Sequence, residues 1–144
     1  VDEIGANQFR LLEVNWTLPP RMKYFPKHQG DWCGPRDFIK LHALGLVEYD
    51  AVAYFDQRNE LQGDIFPALR CAATGRMLST GGSTGEPLSA AFFAAKPDMR
   101  LVAAAQIFAQ NASFNKDTGW SKAGHGAKGH YYSGAECAPG FFHT

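Results

Sequence analysis

Two short, uninterrupted apolar runs, residues 51–55 (Ala-Val-Ala-Tyr-Phe) and residues 88–95 (Leu-Ser-Ala-Ala-Phe-Phe-Ala-Ala), constrain this chain more than any other feature. A run of that length with little polar alternation suits a strand covered on both faces. Helices must then lie on either side, and helix patterns flank both runs. Before the first, Pro35-Arg36-Asp37 opens a helix, because proline tolerates a first turn where its missing N–H has no partner. Phe38, Leu41 and Leu44, flanked by Ile39 and Leu46, give that helix an apolar face. After the second run, Lys96-Pro97 ends the strand and Asp98 caps a helix reaching about Gln110. Met99, Val102, Ile107 and Phe108 are its expected core contacts. The alternation predicts an α/β layered domain around a small, mostly parallel sheet.

The other segments are less regular. Residues 9–16 (Phe-Arg-Leu-Leu-Glu-Val-Asn-Trp) read as a first strand, closed by Pro19-Pro20. Residues 21–34 mix proline, glycine and aromatics without a period and read as a connection. Residues 64–69 read as a short helix or turn. Residues 74–87, with Gly75, Gly81, Gly82 and Gly85, read as a loop. From Asn111 to Thr144 the chain is rich in glycine, histidine and aromatics and reads as an irregular tail. No internal repeat is present, so residues 1–144 form one expected domain.

With 144 residues and 45% apolar content, the chain is long enough to bury a core. Fourteen basic residues balance fourteen acidic ones without clustering, which argues against a nucleic-acid or anionic-membrane partner. No apolar run reaches the roughly 20 residues of a membrane-spanning helix. Cys33, Cys71 and Cys137 are widely spaced, without a CxxC pair. They read as buried thiols, or as one disulfide with a free thiol, and do not suggest zinc. The first residue is Val1, which predicts a processed, trimmed or incomplete N-terminus compatible with an organelle.

Chemistry enters where the first run ends. Residues 48–58 (Glu-Tyr-Asp-Ala-Val-Ala-Tyr-Phe-Asp-Gln-Arg) deliver one carboxylate, Asp56, at a strand end, with Arg58 two positions later. Several motifs around it resemble glycosyltransferase family 8, the glycogenin-like and galactinol-synthase-like enzymes. Cys33-Gly34 and Phe38-Ile39-Lys40-Leu41-His42-Ala43 resemble the family's Cys-Gly and Lys-Leu helix. Tyr49-Asp50-Ala51-Val52 leads into Tyr54-Phe55-Asp56 as the family's Tyr-Asp-x-Val leads into Leu-Asp-x-Asp. Asp64-Ile65-Phe66, residues 91–97 ending in Lys96-Pro97, Gly119-Trp120, Gly134-Ala135-Glu136 and Gly140-Phe141-Phe142 follow in the family's order.

The resemblance implies a partial Rossmann-like domain of the GT-A type, and it places the departures on the working residues. The family's two aspartates hold a manganese ion against the leaving diphosphate, a role for hard oxygen ligands. Here Arg58 occupies the second position, and Asp56 would be a relic ligand. Ser89-Ala90-Ala91 stands where the family has a sugar-pocket turn of the Asn-Ser-Gly or Gln-Gly-Gly kind. Pro139-Gly140 replaces Gln-Gly, and the family's last His-x-x-Gly-x-x-Lys-Pro-Trp segment has no counterpart. Only about fifty residues precede Asp56, leaving the family's first nucleotide-binding strand without an equivalent.

Lys40, Asp56, Arg58, Ser89 and Gly140 are thus the expected vestigial substrate contacts. Lys40 and Asp56 also have plainer readings: a solvated helix lysine, and an acid capping the next turn. His125, His130 and His143 lie in the glycine-rich tail without an acid or cysteine cluster and read as polar loop. Gly81-Gly82-Ser83-Thr84-Gly85 lacks the lysine of a phosphate cradle. The expected function is a non-catalytic glycosyltransferase-like domain, without cofactor, serving as a structural or interaction subunit of a larger protein assembly. That assembly would be organellar or membrane-associated. Trp120, Tyr131, Tyr132, Phe141 and Phe142 are its expected interface aromatics. The alternative is an active, metal-independent transferase in which Arg58 and Lys40 clamp the phosphates of a UDP-sugar. A lectin-like module is a third, weaker reading.

Overall fold

The computed structural model describes residues 11–14, 35–57, 59–81, 88–111, 114–115, 119–120 and 141. The chain forms a helix at Pro35–Gly45, strand β1 at Val52–Phe55 and helix α1 at Phe66–Ala73. Strand β2 at Leu78–Thr80, strand β3 at Ser89–Ala95 and helix α2 at Met99–Asn111 follow. A two-stranded ribbon of β4 (Phe114–Asn115) and β5 (Gly119–Trp120) follows α2.

The main sheet has the order β1-β3-β2, and β3 is antiparallel to both neighbours. The fold is therefore mixed α/β, as expected, but the expected mostly parallel, Rossmann-like sheet is corrected to an antiparallel one. The reason lies in what an apolar run reports. It records burial on both faces, and helices do cover both faces here, yet burial carries no information about direction. Because β1 and β2 both oppose β3, they run parallel to each other, joined by α1. The β-α-β pattern is present in the chain, and β3 has entered the slot between its strands.

Register assigns the faces. Val52 opposes Ala95 and Tyr54 opposes Phe93, so these four share one face. Of these, Phe93, Ala95 and the partly buried Tyr54 meet Phe38, Leu41 and Leu44 of the first helix and Val102 and Ala109 of α2 in the main core. Ala53 and Phe55, opposite Ala94 and Phe92, share the other face, against which α1 packs. Ala72 of α1 and Ala94 are both fully buried.

The first helix is a 3₁₀ helix of eleven residues. Three residues per turn stack positions i, i+3 and i+6, and Phe38, Leu41 and Leu44 fall on that period. All three are buried. Asp98 fastens the far end of the core: its N–H donates to the Leu44 carbonyl at 2.9 Å. Its carboxylate accepts the Arg100 N–H at 2.8 Å, the N-cap expected from the sequence. Helix α1 starts where Asp64 Oδ1 accepts the Phe66 N–H. It stops where Gly75, at φ +92°, turns its N–H back to the Ala72 carbonyl at 2.8 Å.

Other expectations need correction. Residues 11–14 of the predicted first strand are not in a strand, and Leu11 is 97% exposed. The region read as a loop from residue 74 contains β2, a three-residue strand too short to leave a period. The tail contains the β4–β5 ribbon. Cys71 is a half-buried free thiol, while Cys33 and Cys137 lie outside the described residues.

Candidate functional site

Lys40, Tyr54 and Asp56 converge where the first helix crosses the end of β1. Lys40 is only 5% exposed although it lies beside the 40% exposed Ile39. Its ammonium lies 3.4 Å from Asp56 Oδ1 and 3.5 Å from Oδ2, facing both carboxylate oxygens. Tyr54 and Asp56 are two apart on an extended segment and so share a face. The Tyr54 hydroxyl donates to Asp56 Oδ1 at 2.7 Å.

The tyrosine ring adds two contacts. It stacks on Phe93 at 5.4 Å with an interplanar angle of 15°, and the Lys40 ammonium lies 5.4 Å from its centroid, a cation–π distance. The backbone of Asp56 is also held. Its N–H donates to the Ala91 carbonyl at 2.9 Å, and its carbonyl accepts the Asn59 N–H at 2.8 Å. The Asn59 side-chain amide donates to the same Ala91 carbonyl. At the start of β3, Ser89 Oγ accepts the Ala91 N–H at 3.2 Å.

Two of the expected site positions are therefore neighbours: Lys40 and Asp56 pair directly, and Ala91, two residues after Ser89, holds the Asp56 backbone through its carbonyl. The Ser89-Ala90-Ala91 tripeptide is the first part of β3, as the apolar run predicts, and not a turn like the one the family has there; Ala90 is buried. Strand geometry turns alternate side chains to opposite faces, so it cannot present three successive groups to one ligand. Lys40 is also not a solvated helix lysine. Arg58 and Gly140 lie outside the described residues.

Among the interface candidates, Tyr131, Tyr132 and Phe142 lie outside them too, and Trp120 is described only as part of β5. Phe141 is placed in the core. It meets Phe38 edge to face at 4.9 Å and Phe108 at 5.2 Å and is 5% exposed. While the chain holds this fold, Phe141 offers almost no surface to a partner.

Tyr54 and Asn59 were missed as site residues. The two-residue spacing of Tyr54 and Asp56 was a usable signal. Nothing local links Asn59 to a residue 32 positions later.

The chemistry of the cluster follows from its charges. Asp56 faces one ammonium and accepts one phenol hydrogen bond, so its negative charge is answered from within the chain. A cation entering beside it would approach the Lys40 ammonium. Like charges ~4 Å apart at intermediate dielectric repel by roughly 4 kcal/mol per unit of charge. Among the described residues, no three or more His, Cys, Asp or Glu side chains gather as a metal would require. No helix among them is long and apolar enough to cross a membrane. Comparison with protein-family models, curated proteins and solved structures returns no match for this chain.

Proposed function

We propose that this chain is a glycosyltransferase-family-8-like domain that no longer transfers sugar and serves as a structural or interaction subunit of a larger assembly. The observation supporting this is the internal neutralisation of Asp56 by Lys40 and Tyr54. The carboxylate that the resemblance assigns to a metal is used instead to tie the first helix to the end of β1. In this reading the helices on both faces of the sheet keep a layered arrangement, the antiparallel pairing departs from the family's Rossmann-like sheet, and Arg58 in place of the second aspartate completes the loss. Fold-level resemblance alone gives no activity. Exposed apolar side chains before and at the start of α1, Leu61 and Phe66, are surface that an assembly would cover.

The observed pairing also weakens the metal-independent alternative. A phosphate clamp needs a lysine whose ammonium reaches a ligand, whereas Lys40 is turned inward against a carboxylate. Titration calorimetry with UDP-sugars, with and without manganese, should give no saturable heat. Saturable binding abolished by Arg58→Ala would reverse the conclusion in favour of an active site. For the subunit role, the native chain should copurify in a complex of fixed stoichiometry; a stable monomer would sink it.

A further inference from the structure

Asn111 is the last residue of α2 and opens the tripeptide Asn111-Ala112-Ser113. Asparagine, a residue other than proline, then serine or threonine is the acceptor pattern for N-linked glycosylation. Asn15-Trp16-Thr17 is a second instance, outside the described residues, so two of the chain's five asparagines carry the pattern.

Geometry at Asn111 suits the modification. The residue is exposed, and its Nδ2 donates to the Ile107 carbonyl at 2.9 Å. A primary amide carries two N–H bonds. Substituting one by a sugar leaves the other available for the Ile107 contact. Ile107, the i−4 neighbour on the same side of α2, is 62% exposed. The side of α2 that carries Asn111 and Ile107 is therefore exposed at both positions. Helix α2 is held from its other side, through Val102 and Ala109.

We infer that Asn111 is an N-glycosylation site, with a glycosyl diphosphate as the donor class. In the transfer, Nδ2 bonds to the anomeric carbon as the bond from that carbon to the diphosphate oxygen breaks. The electron pair of that bond leaves with the diphosphate, and Nδ2 gives one proton to a base of the transferase. Nothing is oxidised or reduced.

The test uses the protein from its native source, treated in heavy-oxygen water with a glycosidase that cleaves the asparagine–sugar bond. The expected result is a heavy-labelled aspartate at position 111 and faster gel migration after treatment. Ser113→Ala, expressed in the same source, should lose the label at 111 and retain the wild-type melting temperature, since the Asn111–Ile107 hydrogen bond is intact. A native peptide with Asn111 wholly unmodified would overturn the assignment. So would a label that persists in Ser113→Ala. Neither result bears on sugar-nucleotide binding, so this site stands or falls independently of the proposed loss of catalysis.

Discussion

Lys40 and Asp56 couple a buried ammonium to a partly exposed carboxylate, and the asymmetry sets what substitutions will do. Removing one partner of a buried pair leaves an unanswered charge, at a cost near 3–5 kcal/mol in fully buried cases. Asp56 keeps the Tyr54 hydrogen bond and is 23% exposed, so Lys40→Met should cost less, roughly 2–3 kcal/mol. Lys40→Met combined with Asp56→Asn should recover much of that loss. Urea unfolding of the two single variants and the double variant checks the coupling; strictly additive losses would mean that the pair contributes no mutual stabilisation. Tyr54→Phe keeps the stack on Phe93 and loses one hydrogen bond, about 0.5–1.5 kcal/mol.

His42, on the same helix, gives a pH signature. Burial pushes its pKa below the ordinary 6.5, because a partly desolvated site disfavours the imidazolium. The unfolded chain then binds the proton more readily than the folded one. Stability associated with His42 is present above pH 6.5 and is lost as pH falls below it. Melting temperature followed from neutral pH into mild acid should decline, and His42→Gln should flatten part of that decline.

Among the elements, the 3₁₀ helix offers the sharpest contrast. Phe38, Leu41 and Leu44 are buried on its three-residue period, while neighbouring Ile39 is 40% exposed. Leu41→Ala should destabilise by ~2–5 kcal/mol, the range for large-to-small changes in a core. Ile39→Ala should cost well under half as much, and chemical denaturation distinguishes the two. At the head of α2, Asp98 accepts the Arg100 N–H and pairs with its guanidinium at 2.6 Å. The hydrogen bond from the Arg100 side chain holds the Asp98 carboxyl below its ordinary 3.8. That contribution is present above the ordinary value and lost as pH falls through it. Asp98→Ala should lower the melting temperature, whereas Asp98→Asn should retain more of it, because asparagine also caps. Both helix starts were legible beforehand from Pro35 and Asp98. The 3₁₀ winding itself was not, since a 38-41-44 spacing satisfies either helix type over two turns.

Across the whole molecule, the arrangement of layers was legible and the wiring was not. Two apolar runs with helix patterns around them implied a sheet covered on both faces, and α1 on one face with α2 and the first helix on the other fulfil it. The direction and order of the strands came out otherwise, because β3 lies between β1 and β2. Strand partners are selected by contacts between segments tens of residues apart, and nothing in a local period names the partner. The same holds at the candidate site. Asp56 at a strand end was visible, but its ammonium partner comes from 16 residues earlier, and Ala91, which holds its backbone, from 35 residues later.

What the amino-acid order determined alone was therefore short-range: where helices begin, where strands end, and which faces are apolar. Sterics, proline and side-chain capping act within a turn or two, so those outcomes need no tertiary context. The tertiary structure decided that Lys40 faces Asp56 rather than water and that Phe141 fills the core rather than an interface. Each of those outcomes depends on which distant surface is left to bury, and that is set only when the layers close on one another.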